Sequence, residues 1–229
     1  MSMSHRRLPL LNAVDEGDLE LVHKYAVEGE DLEAVDTWEF RRAALGLAAS
    51  KGHIEIVRFL LEAGSNPNGP AQSEHVPLWD AAASGDSEIV QALIDHGADV
   101  NAVDEHGWHA LLVAAACSDL IPEKEWGSLT RLLVAFGSDV NHVDRYGRTA
   151  LHVAAGNEPN NESTLEVMRV LLEAGAEIDA RAGDSAWTPL MLAVKEGNMD
   201  AVRLLVEAGT DVNVTDILGD TARQRSCVC

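Results

Sequence analysis

The sequence predicts an all-α solenoid, a stack of short helix pairs built from one repeated unit. The first observation is a glycine followed by a short polar–apolar phrase, as in Glu-Ala-Gly-Thr-Asp-Val-Asn at 207–213. It recurs every 33 to 40 residues, at Gly29, Gly64, Gly97, Gly137, Gly175 and Gly209. The second observation is an alanine- and leucine-rich phrase in phase with it, as in Pro-Leu-Trp-Asp-Ala-Ala at 77–82. We therefore predict about six repeats in one domain.

Each unit is predicted to contain two helices with different roles. The first opens on proline or alanine, and a proline at the first helical position loses no hydrogen bond. Its small alanines allow close packing against the neighbouring units. The second helix is clearest at 53–64, where apolar residues recur at helical spacing and Gly64 supplies a left-handed stop. One such pair cannot bury its own apolar face, so the units must stack.

The chain divides in order into a tail, the repeats and a closing element. We expect a flexible tail at 1–7 and one repeat domain at 8–222. The repeats are predicted at 8–35, 36–68, 69–101, 102–141, 142–179 and 180–213, with a partial, truncated one at 214–222. Polar residues follow where a helix core would continue, so 223–229 is expected to be a second tail.

These phrases resemble the ankyrin repeat family, over Leu8 to Thr221. The best match to the family's Thr-Pro-Leu-His phrase is Thr149-Ala150-Leu151-His152. Thr188-Pro189-Leu190-Met191 keeps the first three residues of that phrase. The resemblance implies short β-hairpin fingers between helix pairs, a concave groove lined by fingers and first helices, and binding of other proteins there.

Two repeats carry insertions between their first and second helices. In the stretch 117–126, Pro122 and two glutamates predict a helix start. The stretch 156–163 is predicted to be a polar loop. The insertions could form a second contact surface, or they could be loop growth that a surface position tolerates.

Composition excludes several function classes. A net charge of −21 opposes a phosphate backbone, so we expect no nucleic-acid partner. Without 18 consecutive apolar residues or a signal peptide, we expect no membrane association. Three cysteines cannot form a disulfide framework, which favours a cytoplasmic protein. We also expect the protein to be a monomer. The terminal Cys227 and Cys229 leave open a lipid modification, against an unmodified exposed tail.

No motif indicates catalysis, a cofactor or a metal. Phosphate-binding glycine loops and zinc-finger cysteine pairs are both missing from the sequence. His106 and His109, with Asp104, are spaced like helical ligands but fall in a predicted hairpin, where we expect solvated tip residues. We therefore predict that the chain is not an enzyme, has no cofactor and binds no metal.

The candidate partner-binding residues are the aromatic and charged residues of the predicted fingers. A solvated fingertip does not need tryptophan, whereas Trp, Tyr and Arg dominate interface energies. Trp79 is added because it lies on a first helix at an often-exposed position. The alternative is that some rings pack on neighbouring fingers as structural cover. The candidates are Trp38, Phe40, Arg42, Trp79, Glu105, His106, Trp108, Arg145, Tyr146, Arg148 and Trp187.

The predicted function is a non-enzymatic protein–protein interaction module. One alternative is a stoichiometric inhibitor or immunity protein that neutralises a basic enzyme or toxin, because the acidic balance suits a basic partner. Another is an adaptor or scaffold that links several proteins. Most of the acid falls in the predicted second helices and the loops that follow them, so we expect specificity to lie with the aromatic fingers.

Overall fold

The protein is described by a computed structural model that covers residues 8–35, 42–70, 76–118, 125–159 and 161–225. The chain forms two compact units, 1–105 and 106–229. The prediction of one repeat domain over 8–222 stays a prediction, while the all-α solenoid class is confirmed.

The first unit contains three helix pairs in its described part. The helices are α1 (Pro9–Glu16), α2 (Leu19–Val27), α3 (Ala44–Lys51), α4 (Ile54–Glu62), α5 (Pro77–Ser84) and α6 (Ser87–Asp95). Helices α1, α3 and α5 pack side by side in one layer, and α2, α4 and α6 form the second. In the first layer α3 is the most deeply buried helix, because alanines, leucines and a glycine occupy its first six positions. The second layer buries one apolar stripe, such as Ile56, Val57, Leu60 and Leu61 of α4.

The second unit repeats this arrangement. Its described helices are α7 (Ala110–Cys117), α8 (Trp126–Ala135), α9 (Ala150–Ala155), α10 (Glu162–Glu173), α11 (Pro189–Lys195), α12 (Met199–Glu207) and α13 (Ala222–Arg225). Helices α7, α9, α11 and α13 form the inner layer, and α8, α10 and α12 form the outer one. The helix α13 extends through Arg225, three residues into the segment predicted as a tail.

The helix ends follow from local sequence. Pro9, Pro77 and Pro189 occupy first helical positions as predicted. Several of the helices that come second in their pair begin at a side-chain cap; Asp86, for example, accepts from two backbone amides of α6. Gly52 ends α3 with φ of 75°, a left-handed conformation that favours glycine.

The fingers are tight turns with little strand character. The predicted β-hairpins appear in the described residues as isolated bridges, Ala182 with Trp187 and Thr215 with Thr221. A second closing device is an aspartate that caps its own turn: Asp216 accepts from the amides of Leu218 and Asp220. Turns closed this way are too short for a ladder of strand hydrogen bonds.

The two insertions have structural contacts. The helix start predicted at Pro122 lies outside the described residues, and the described α8 begins at Trp126, which is 1% exposed. The loop predicted at 156–163 ends early, because Asn161 caps α10 and the helix starts at Glu162. Asn157 donates to the Ala115 carbonyl at 2.9 Å and Asn161 to the Ser118 carbonyl at 3.1 Å. This second insertion therefore fastens two repeats together, and its role in binding stays a prediction.

Among the described helices, none combines the length and apolar character needed to cross a membrane.

Candidate functional site

Consecutive fingers of the second unit are joined tip to tip by backbone hydrogen bonds. The amide of Arg145 donates to the His106 carbonyl at 3.0 Å, and that of Gly183 donates to the Tyr146 carbonyl at 2.7 Å. The next finger continues the row, since the amide of Ile217 donates to the Ser185 carbonyl at 3.1 Å. Side chains separated by about one repeat in sequence therefore stand next to each other.

Asp144 stabilises the finger that contains Arg145, Tyr146 and Arg148. Its carboxylate is buried and accepts from the amides of Tyr146 at 2.8 Å and Arg148 at 2.9 Å. The Nε of Arg148 donates to the same carboxylate at 2.8 Å. Burial by itself raises the pKa of Asp144, but the hydrogen bonds and charge of Arg148 and the amide of Tyr146 outweigh it, so the pKa lies below its usual range. The charged carboxylate thus fixes the shape of the finger.

Arg148 connects this carboxylate to two aromatic rings. Its Nη2 lies 2.7 Å from Asp144 Oδ2, the oxygen that also accepts from Nε, so two guanidinium nitrogens contact one carboxylate oxygen. The guanidinium carbon lies 5.7 Å from the ring centre of Trp108 and 5.2 Å from that of Tyr146. These distances are those of cation–π contacts, so Arg148 bridges rings from two fingers.

Arg145 also contacts Tyr146. Its Nη1 donates to His106 Nδ1 at 2.7 Å and its Nη2 donates to the Tyr146 hydroxyl at 2.6 Å. Its guanidinium carbon lies 4.7 Å from the Tyr146 ring centre. Among the described residues, no carboxylate forms an ion pair with Arg145.

Trp187 borders a small cavity between two neighbouring fingers, the one that contains Tyr146 and Arg148 and the one that contains Trp187 itself. The cavity has a volume of about 230 Å³. We call it the finger pocket; it is lined by Tyr146, Arg148, Ala182, Gly183, Asp184, Ser185, Trp187 and Leu192. Ala186, which precedes Trp187, has φ of 53°, an uncommon conformation for a residue with a Cβ atom. Lys195 Nζ lies 5.7 Å from the Trp187 ring centre. We call His106, Trp108, Arg145, Tyr146, Arg148 and Trp187 together the finger surface.

Buried histidines support the fingers from below. His152 Nε2 donates to the Trp187 carbonyl at 3.1 Å, and its Nδ1 lies 2.8 Å from the Thr149 hydroxyl. Burial lowers the pKa of His152, although the hydrogen bond to Trp187 opposes the shift.

The expectation that His109 is a solvated tip residue is wrong, since it is 1% exposed. It takes the place that Thr149 holds one repeat later: its Nδ1 accepts from Leu112 and its Nε2 donates to the Asp139 carbonyl at 3.0 Å. Burial likewise lowers its pKa.

The other predicted binding residues fall elsewhere. Trp38 and Phe40 lie outside the described residues. Arg42 lies 2.9 Å from the fully buried Asp80 carboxylate of α5, so its guanidinium serves an ion pair inside the first unit. Trp79, expected to be exposed on its helix, is half-buried, and Glu105 is exposed at the end of the first unit.

Two exposed residues escaped the sequence reasoning. Ile217 and Leu218 are 68% and 74% exposed at the tip of the last finger. The sequence contains one signal that could have identified them. Ile217 and Leu218 align with Arg145 and Tyr146 two repeats earlier, since both pairs follow an aspartate and precede a glycine. Within the described residues, no group of three or more His, Cys, Asp or Glu side chains is placed to hold a metal ion.

Comparison with known proteins identifies the repeat. A family model described as "Ankyrin repeats (3 copies)" matches residues 10–104, 78–182 and 124–216. The crystal structure of the human ASB11 ankyrin repeat domain matches with a TM-score of 0.80 and 24% identity, covering 97% of this chain and 93% of that one. At this identity the match shows the fold.

Curated relatives share only their repeats with this chain. The E3 ubiquitin-protein ligase KEG of Arabidopsis thaliana is 33% identical over 108 residues, which is 47% of this chain and 7% of that protein. The glycerophosphocholine phosphodiesterase gde1 of Schizosaccharomyces pombe is 40% identical over 63 residues, 28% of this chain and 6% of that protein. The activities in these names belong to those proteins. Ankyrin repeats are in general non-enzymatic protein–protein interaction modules, and this chain belongs to the ankyrin repeat family.

Proposed function

We propose that the chain is a non-enzymatic module that binds a partner protein through the finger surface. The observation that carries the proposal is the alternation of rings and guanidinium groups across three fingers, held by the Asp144–Arg148 pair. Tyr146 is 51% exposed although it is contacted by two arginines. An aromatic side chain that is fixed in place and still exposed loses little conformational freedom when a partner covers it.

The experiment compares proteins captured from a lysate of the source organism by three forms of the full chain. The test variant carries Trp108→Ala, Tyr146→Ala and Trp187→Ala together. The matched control carries Phe136→Ala, Met199→Ala and Val206→Ala, which remove exposed apolar side chains from the outer layer or its end. We expect a partner that the wild type and the control capture and the test variant does not. Equal capture by the test variant would reject the finger surface.

The net charge of −21 favours a second candidate, a stoichiometric inhibitor or immunity protein that neutralises a basic enzyme or toxin. It predicts one tight partner of high isoelectric point, with an association rate that falls steeply as salt rises. An adaptor predicts several captured partners that bind side by side. The number and charge of the captured proteins separate these candidates. Expression in the cytoplasm and a monomeric state remain part of the proposal.

A further inference from the structure

We infer that the finger surface takes a segment of the partner in which an acidic residue precedes or follows apolar residues. In this arrangement the carboxylate binds Arg145, one apolar side chain fills the finger pocket, and a further apolar contact covers Ile217 and Leu218. The inference rests on the proposed function and gives it a ligand chemistry opposite to what the net charge suggests.

The first argument is the state of the cations on the surface. Arg148 is neutralised by Asp144, and Lys195 by Glu196 at 2.7 Å. Arg145 is exposed, and in the described part of the chain its guanidinium is hydrogen-bonded to the His106 ring and the Tyr146 hydroxyl and to no carboxylate. A guanidinium has five N–H donors, so Arg145 retains donors for an incoming carboxylate. Its charge has no carboxylate counterpart in the part of the chain that the structure describes.

The second argument is that the rings already hold cations of this chain. Arg145 and Arg148 lie over Tyr146, and Lys195 lies over Trp187. A positively charged partner side chain would meet these groups as like charges, so the rings do not form a cage for a lysine or arginine. Asp184 is the acidic residue that lines the finger pocket. The exposed Arg181 lies three residues before it and places an opposite charge on the same finger.

The third argument is the size of the finger pocket and the composition of its walls. Two aromatic rings, a leucine and an alanine are four of the eight lining residues. A volume of about 230 Å³ is smaller than the cavities of roughly 300–1,000 Å³ that hold cofactors and drug-sized ligands. It suits one apolar side chain presented by a polypeptide.

The fourth argument is the order of the groups along the fingers. Ser185 lines the finger pocket, and its carbonyl accepts from the amide of Ile217. The row therefore runs from the cation of Arg145, through the pocket, to the exposed pair Ile217 and Leu218. The neighbouring aliphatic side chains of Ile217 and Leu218 are 68% and 74% exposed, so a partner can cover them. The partner segment must present its acidic and apolar groups in the same order.

The experiment selects from a displayed library of random 12-residue peptides on the immobilised full chain. We expect the enriched peptides to combine Asp or Glu with Leu, Ile, Met or Phe at a constant spacing. Enrichment of Lys or Arg, or of apolar residues without an acid, would overturn the inference.

A charge exchange locates the acidic contact. Binding of the best peptide should weaken about tenfold in Arg145→Glu and recover when the acidic residue of the peptide is changed to lysine. The control Arg203→Glu makes the same charge change on α12, where Arg203 pairs with Asp200, and should leave the affinity within about twofold. Equal losses in the two variants would also overturn the inference.

Failure of this inference and failure of the proposed function give different results. Peptides whose binding disappears in Tyr146→Ala and Trp187→Ala but which carry no acid contradict only the ligand chemistry. Peptides that bind these variants as well as the wild type contradict the finger surface itself.

Discussion

Two arginine–aspartate pairs with fully buried carboxylates have different roles in the two units. In the first unit, Arg42 pairs with Asp80 of α5, in the next repeat of the same unit. In the second unit, Arg148 pairs with Asp144, four residues earlier in the same finger. The first pair ties two repeats together, while the second shapes one finger and places a guanidinium between two rings. The same chemistry therefore stabilises packing in one unit and presents side chains in the other.

Breaking the pair between repeats should have the largest effect. Arg42→Met leaves the Asp80 carboxylate buried without its arginine, and we expect a loss of about 3 kcal/mol in the free energy of unfolding. Urea denaturation measures this loss. The double variant Arg42→Met, Asp80→Leu should recover most of it, because a buried pair replaced by apolar groups costs little. A single variant within about 0.5 kcal/mol of wild type would contradict the assigned role.

The space beside Asp80 provides the next test. A Cβ atom on Gly46 of α3 would lie 2.9 Å from Asp80 Oδ2, so we expect Gly46→Ala to destabilise the chain by about 2 kcal/mol. The matched control is Gly127→Ala on α8, where the three atoms nearest to the added methyl all belong to the half-exposed Glu166 side chain, which can move. There alanine should be neutral or stabilising by up to about 1 kcal/mol. Equal effects in urea denaturation would contradict the packing described for Asp80.

Breaking the pair within the finger should cost less stability and more binding. Asp144→Asn keeps an acceptor for the backbone amides but loses the ion pair, so we expect about 1 kcal/mol in the free energy of unfolding. Because Arg148 is then released from its place between Trp108 and Tyr146, peptide or partner affinity should fall by about tenfold. The measurements are urea denaturation and a calorimetric titration. Lost stability with unchanged affinity would show that the pair has a structural role only.

The buried histidines should make the second unit sensitive to mild acid. The folded-state pKa values of His109 and His152 are lowered, so the unfolded chain binds more protons below about pH 6.5. Stability is therefore fully present above that pH and falls as the pH decreases toward the folded-state values. Urea denaturation at pH 7.5 and 5.5 should show this loss. The difference between the two pH values should shrink in His152→Leu, whatever the stability of that variant, and an unchanged difference would contradict the assignment.

Periodicity was sufficient to predict the repeats, the helix pairs and the proline starts, because each depends on residues close in sequence. It also assigned Trp108, Arg145 and Tyr146 to the fingers, while their role in binding a partner stays a prediction. The contacts among them were not predictable, since His106 and Arg145 are 39 residues apart and meet only when the repeats stack.

The missed features have particular causes. His109 was expected to be solvated because it lies in a predicted hairpin. Its ring instead caps α7, at the position where Thr149 caps the equivalent helix one repeat later. Asp144 gave no distinct pattern, because a single aspartate before a turn is common in surface loops. The exposure of Ile217 and Leu218 was not predicted because the segment 214–222 was interpreted only as a truncated repeat.

The most direct measurement is amide hydrogen exchange of the full chain, free and bound to the captured partner or the best selected peptide. If the finger surface is the binding site, amides of residues 144–149 and 182–188 should exchange more slowly in the complex, and those of the outer helices α10 and α12 should not change. Protection confined to α10 and α12, with the fingers unchanged, would contradict the account.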